Sequence, residues 1–166
     1  MKLIILATLT LIIPFIFGYH FSYNLPNIEQ FHEDVLPIIG KKKIEIFTYI
    51  LANNTKVIML NILGFLSFGI LTCLNTAYNG FIFGLILKIA LKNTNSLFVM
   101  STFLPHSIEI LGIILSCYLG YRLSIKLKSY IFKDINHFNL KDCKLFLISM
   151  IIIILSASIE TFITIK

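Results

Sequence analysis

Long apolar runs recur along the chain and limit the structures that it can adopt. Leu3–Tyr19, Leu97–Leu123 and Leu145–Ile163 are almost free of charge, and a helix of about 20 apolar residues is long enough to cross a bilayer. Of the 166 residues, 57% are hydrophobic and 13% are charged, whereas soluble domains are roughly half apolar and about a quarter charged. This pattern predicts an all-α, polytopic membrane helix bundle that forms a single membrane domain over residues 1–166.

The composition also excludes several classes of protein. The three cysteines, Cys73, Cys117 and Cys143, are odd in number and widely spaced, unlike a disulfide framework or a zinc motif. The net charge of +6 is typical of membrane proteins, whose loops collect Lys and Arg opposite anionic headgroups, and no basic stripe indicates binding to nucleic acid. We therefore expect a multi-pass protein of a prokaryotic cytoplasmic membrane. Its partners are the lipid bilayer and other membrane or envelope proteins, a second copy of the chain among the candidates.

Hydropathy and turn signals divide the chain into about five transmembrane segments. The predicted segments are a first crossing at 3–19, a polar loop at 20–43, an interfacial amphipathic helix at 44–54, a second crossing at 57–74, a short third crossing or re-entrant segment at 76–91, a broken fourth crossing at 97–123, a basic loop at 124–144 and a fifth crossing at 145–163.

Three of these boundaries depend on short motifs. Asn53-Asn54 is predicted to end the interfacial helix. Asn79-Gly80 is a strong turn signal and predicts a helix break at Gly80. Pro105-His106 predicts a second break, because proline favours the first position of a new helix.

Charge predicts the orientation only narrowly. With five crossings and the N-terminus inside, seven Lys and Arg residues lie on the inner side and six on the outer side. The density of basic residues in 124–144 favours a cytoplasmic location for that loop and an external one for 20–54.

Several polar residues occur at membrane depth, where each needs a partner or a function. We predict one intramembrane polar cluster of Asn79, His106, Glu109 and Glu160, in which His106 and Glu109 share a helix face. Three interpretations remain open: the groups hold the bundle together, they line a path for a small solute or peptide, or they form a metal-dependent hydrolase.

The hydrolase is the least favoured interpretation. His106 and Glu109 supply two ligands, the sequence has no HExxH motif, and no third ligand is evident from sequence. We therefore expect no metal site, no cofactor, no catalytic residue and no enzyme activity.

At these motifs the chain resembles the stage II sporulation protein M family of prokaryotic membrane proteins. The resemblance extends from Ile44 to the C-terminus, and it departs from the family motif Pro-His-Gly-x-x-Glu in having Ser107 at the glycine position. The matching pieces, in order, are Leu51-Ala-Asn-Asn54, Asn79-Gly80 with Phe-Ile-Phe-Gly84, Leu104-Pro-His-Ser-Ile-Glu109, Gly120-Tyr-Arg-Leu123 and Ala157-Ser-Ile-Glu160.

The resemblance implies a non-catalytic scaffold or partner subunit of a membrane complex. The namesake of the family is similar to a scaffold that unites cell-wall-degrading proteins during sporulation, and related proteins accompany bacteriocin maturation, export or immunity. The alternative that it implies is a membrane transport subunit that moves a peptide or small solute with an ATP-binding cassette partner.

Overall fold

Five long helices account for nearly all of the structure. The computed structural model describes residues 2–21, 42–93, 96–133 and 139–164. All five helices are long and apolar enough to cross a membrane, which confirms the predicted all-α bundle of about five segments. The helices are α1 (Lys2–Phe21), α2 (Lys43–Leu63), α3 (Ile70–Asn93), α4 (Ser96–Lys133) and α5 (Leu140–Ile159).

The contacts between helices define two ends of the bundle. At one end, the C-terminal part of α4 meets the start of α5 through Arg122 and Asp142. We call this the basic end, because the lysines of the predicted basic loop are also found there. The turn between α2 and α3 belongs to the same end, since Gly69 lies against Tyr121 of α4. At the opposite, far end, Phe47 of α2 lies next to Phe162, with ring centroids 6.0 Å apart.

Helices α1 and α3 pack closely along a line of glycines. A Cβ atom added at Gly80 would lie 2.3 Å from the backbone oxygen of Leu11, and one added at Gly84 would lie 2.0 Å from that of Phe15. Glycines four residues apart on one helix let two membrane helices approach until their backbones touch. The first crossing predicted at 3–19 therefore corresponds to α1 and is held against α3.

This packing corrects the break predicted at Gly80. Helix α3 runs without interruption from Ile70 to Asn93, so the third segment is neither short nor re-entrant. Asn79 fits inside the helix because its Nδ2 donates to the backbone oxygen of Asn75 at 2.7 Å. The Asn79-Gly80 pair has the composition of a turn, but tertiary packing against α1 is what requires the glycine.

The actual turn lies earlier, within the segment predicted as the second crossing at 57–74. Helix α2 continues into a 3₁₀ stretch at Gly64–Ser67, and Phe68 and Gly69 then take positive φ angles of 53° and 92°. The predicted interfacial helix at 44–54 is therefore the first half of a continuous helix, and Asn53-Asn54 does not end it. Asn54 is buried in α2, whereas Asn53 is exposed.

Pro105 does not break the fourth crossing either. Helix α4 extends over 38 residues from Ser96 to Lys133 and passes through Pro105, just as α1 passes through Pro14. Proline removes one backbone hydrogen bond, and membrane helices tolerate this loss where neighbouring helices or local adjustments satisfy the freed carbonyl.

The predicted basic loop at 124–144 is mostly helical. Helix α4 continues to Lys133, and α5 begins at Leu140 after a capping box in which Asn139 and Asp142 satisfy each other's backbone amides. Residues 134–138 of this loop lie outside the described residues. The same is true of residues 22–41, which form most of the predicted polar loop at 20–43.

We predict that the basic end faces the cytoplasm. Native Cys143, which is exposed near the start of α5, serves as a probe for this end in a Cys73→Ala, Cys117→Ala background. Lys42→Cys in a background without native cysteines reports on the far end. In right-side-out vesicles, a membrane-impermeant maleimide is expected to label Lys42→Cys at once and Cys143 only after permeabilisation, because basic residues are retained inside. The reverse order of labelling would contradict this orientation.

Candidate functional site

Three ionisable side chains from two helices meet toward the far end of the bundle. Nδ1 of His106 lies 3.3 Å from Oε2 of Glu109, and Nε2 of the same ring lies 3.9 Å from Oε1 of Glu160. We call these residues the His-Glu-Glu cluster. One nitrogen or carboxylate oxygen from each residue can be chosen so that all three atoms lie within 4.8 Å of one another.

Helix geometry explains how the cluster forms. His106 and Glu109 are three residues apart on α4, which places their side chains on one face. Glu160 follows the last residue of α5, at the point where the chain widens into a π-helix over Glu160–Thr164. Because α5 runs antiparallel to α4, the end of α5 lies beside the first third of α4, and Glu160 reaches His106.

The cluster is largely shielded by apolar side chains. The side chain of Glu109 is 7% exposed, that of Glu160 16% and that of His106 26%. The ring of Phe83 on α3 lies 6.0 Å from the imidazole, centroid to centroid. Nearby at this end, Ile46, Ile50 and Ala157 form an apolar contact between α2 and α5. The shielding keeps the two carboxyl groups in an environment of low polarity.

The structure therefore brings together three of the four residues predicted for the polar cluster. Asn79 uses its amide to bond its own helix at Asn75. The sequence argument against a metal also needs correction, because it relied on the lack of a third ligand. Glu160 brings a third side chain of a suitable type within reach of the other two, although it lies 51 positions after Glu109.

A second polar centre, which we call the Asn61 hub, joins helices α2, α3 and α4. Nδ2 of Asn61 donates to Oγ of Ser116 at 2.9 Å and to the backbone oxygen of Ile113 at 3.5 Å. Its Oδ1 accepts from Nδ2 of Asn75 at 2.7 Å and from Oγ1 of Thr76 at 3.0 Å. All four hydrogen-bonding positions of the Asn61 amide are thus occupied, and the residue is fully buried. The Asn61 hub therefore holds the three helices together.

An ion cluster at the basic end was not predicted. The carboxylate of Asp142 is 3% exposed and lies 3.0 Å from Nε of Arg122. Lys126 donates to the other carboxylate oxygen of the same residue. The sequence does contain one signal, since Asn139 and Asp142 have the spacing of a capping box, but that spacing does not reveal the two cations on α4. The cluster fastens the start of α5 to α4.

The exposed face of α2 carries polar residues where a lipid-facing helix would be apolar. We call Glu45, Thr48, Asn53 and Lys56 the polar stripe; all four are exposed and fall on one side of the helix. Thr48 donates to carbonyls of its own helix. Within the part of the chain that the structure describes, no other side chain hydrogen-bonds or ion-pairs with those of Glu45, Asn53 and Lys56.

The depth of Lys56 distinguishes it from an interfacial residue. Lys56 lies near the middle of the 25-residue span Lys43–Ser67, whose mean hydropathy of 1.3 is the lowest of the five spans. Its neighbour Val57 accepts a hydrogen bond from Asn75 inside the bundle. Beyond Lys56, the same face becomes apolar at Met59 and Leu63, which are 41% and 44% exposed.

Comparisons with known proteins agree with the resemblance seen in the motifs. A family model described as stage II sporulation protein M matches residues 7–165. An uncharacterized protein of Methanocaldococcus jannaschii is 36% identical over 174 residues, an alignment that covers 100% of this chain and 96% of the relative. No solved structure matches the chain significantly. The matched region includes the His-Glu-Glu cluster, the Asn61 hub and the polar stripe.

Proposed function

Because the chain belongs to the stage II sporulation protein M family, we propose that it is a non-catalytic partner subunit of a complex in a prokaryotic cell membrane. The observation that carries the proposal is the polar stripe on α2. A charged residue at the centre of a membrane helix costs about 2.5–3.5 kcal/mol in insertion scales, so Lys56 calls for a compensating group. A helix of another membrane protein supplies one.

The charge of the stripe selects the kind of partner. Two copies of this chain have the same orientation in the membrane, so a symmetric contact through α2 would place Lys56 opposite Lys56 and Glu45 opposite Glu45. Like charges at close range repel, and a low dielectric strengthens the repulsion. The stripe instead fits a spanning helix of a different protein, with a carboxylate at the depth of Lys56 and an amide or hydroxyl group opposite Asn53.

The complex acts in the cell envelope in this proposal. Scaffolding of cell-wall-remodelling proteins is one form, and maturation, export or immunity of a peptide such as a bacteriocin is the other. Transport of a peptide or solute with an ATP-binding cassette partner is the alternative. Neighbouring genes separate these forms: genes for cell-wall hydrolases support scaffolding, whereas an ATP-binding cassette gene beside a small precursor gene supports export or immunity.

The double variant Asn53→Leu, Lys56→Leu tests the proposal. Both substitutions make the face of α2 more apolar, so a stripe that faces lipid would insert more favourably after the change. If the stripe instead contacts a partner, the same change removes that contact. After native membranes are solubilised with a mild detergent, we expect the wild-type chain to migrate in a larger complex and the double variant to migrate as the free chain. The matched control is Leu147→Ile, Ile151→Leu on the exposed apolar face of α5, which should leave the complex intact. Identical migration of wild type and double variant would contradict the proposal.

A further inference from the structure

With both carboxyl groups ionised, the His-Glu-Glu cluster holds more negative charge than its single imidazole can neutralise. Glu109 and Glu160 bring two carboxyl groups within reach of a single imidazole. Even a protonated imidazole balances only one ionised carboxylate, and an uncompensated charge on a largely buried side chain is costly. A divalent cation balances both carboxylates at once.

The donor set matches the chemistry of one class of ion. Imidazole nitrogen is a common ligand of zinc and the later transition metals. Zinc and manganese accept carboxylate oxygen as well. One imidazole with two carboxylates is a mixed nitrogen–oxygen set, and catalytic and structural zinc ions take such ligands in tetrahedral arrangements.

One oxygen atom of the cluster has no hydrogen-bond partner among the described residues, and this observation is separate from the number of candidate ligands. Oε2 of Glu160 is buried and accepts no hydrogen bond among the described residues. Buried carboxylate oxygens normally have a partner, and each exception calls for an explanation such as an ion. This oxygen belongs to a side chain whose other oxygen already faces the imidazole.

We propose that His106, Glu109 and Glu160 bind a divalent transition-metal ion, with zinc as the favoured occupant. Tetrahedral ligands at about 2.0–2.2 Å from zinc lie closer together than the 4.8 Å limit found here. Binding therefore draws the ligand atoms inward, which rotation of the Glu160 side chain at the end of α5 allows. The ion is bound by both α4 and α5, so it fastens the end of α5 to the bundle.

The metal site and the partner contact are separate features. The cluster faces the interior between α4 and α5, and the polar stripe is on the exposed face of α2. A titration of purified protein with metal involves no partner, so a failure to bind metal leaves the proposed function standing. Equally, the absence of a partner complex leaves the metal site standing.

Zinc titration of tag-free protein without cysteines tests the metal site. The chain carrying Cys73→Ala, Cys117→Ala and Cys143→Ala is purified in detergent, stripped with EDTA and titrated with zinc chloride against a fluorescent zinc chelator, with manganese chloride in a parallel sample. We expect close to one zinc per chain. Glu160→Gln and His106→Ala are each expected to weaken zinc binding at least tenfold, because loss even of groups that only support a ligand costs 10–100-fold.

The controls are chosen to match the ligands in chemistry. His20→Ala at the end of α1 and Glu45→Gln on α2 remove an exposed imidazole and an exposed carboxylate, and both should bind zinc as the parent does. Glu160→Gln keeps the shape of the side chain, and a thermal unfolding curve shows whether each variant remains folded. Failure of the parent protein to compete for either metal, or equal binding by folded Glu160→Gln, would overturn the proposal.

Discussion

Replacing Asn61 by leucine is expected to lower the free energy of unfolding by about 2–4 kcal/mol, because it removes the amide that joins α2 to α3 and α4. The substitution deletes four hydrogen bonds. It also leaves the buried hydroxyl of Thr76 without this acceptor, and the half-buried amide of Asn75 keeps only the backbone oxygen of Val57. Hydrogen bonds between membrane helices average about 0.6 kcal/mol each, and the groups left unpaired add to that loss.

Cys117 provides the measurement. Its thiol is fully buried in α4, whereas Cys73 and Cys143 are exposed. In a Cys73→Ala, Cys143→Ala background, reaction of Cys117 with a fluorogenic maleimide during heating therefore reports unfolding. We expect the midpoint of Asn61→Leu to fall by about 5–15 °C. Asn53→Leu, which changes an exposed asparagine on the same helix, is the control and should not lower the midpoint. Equal midpoints for the two variants would show that the Asn61 hub contributes little.

The double substitution Gly80→Ala, Gly84→Ala is expected to destabilise the bundle by up to about 4 kcal/mol, from about 1–3 kcal/mol for each overpacked site less the helix propensity that alanine gains over glycine. Each new Cβ atom would meet a backbone oxygen of α1, at 2.3 Å for Gly80 and 2.0 Å for Gly84. Backbone atoms cannot rotate away as a side chain can, so α1 must move as a whole. Alanine favours helix over glycine by about 1 kcal/mol at each site, so the two clashes together have to exceed a gain of about 2 kcal/mol.

The same thiol-reactivity assay measures this effect, and Gly112→Ala is its matched control. A Cβ atom at Gly112 would first meet Cγ2 of Ile152 at 3.3 Å, a side-chain atom that can adjust. We expect Gly112→Ala to change the midpoint little or to raise it, and the double variant to lower it. A stable double variant would contradict the close packing of α1 on α3.

The number of crossings was predictable because it depends on hydropathy, which acts locally along the chain. The positions of the turns were not. Asn79-Gly80 has the composition of a turn but lies inside α3, because Gly80 meets the backbone of α1. The turn at Phe68 and Gly69 lies in the apolar stretch Phe65–Leu71, where hydropathy is high and the turn signal weak. Only the tertiary contacts separate these two cases.

The candidate site was partly predictable for a related reason. His106 and Glu109 lie three residues apart on one helix, and such a pair follows from helix periodicity. Glu160 was also predicted in the cluster, because a carboxyl group in an apolar segment needs a partner, but its contact with His106 depends on how α5 packs against α4, which periodicity does not reveal. Likewise, Asp142 is recognisable from sequence as a capping residue, but its contacts with Arg122 and Lys126 depend on the pairing of the same two helices.

Photo-crosslinking at the polar stripe tests the proposed partner contact most directly. A benzophenone amino acid is placed in turn at Ala52 and Met59, which are exposed on the same face of α2 as the polar stripe and leave its residues in place, and at Leu147 and Ile151 on the exposed face of α5. After irradiation of native membranes, the proposal predicts one discrete adduct from the two α2 positions and none from the α5 positions. Mass spectrometry should map the crosslink to a spanning helix of another protein that carries Asp or Glu at that depth. An adduct between two copies of this chain, the same adducts from all four positions, or no protein adduct at all would contradict the proposal.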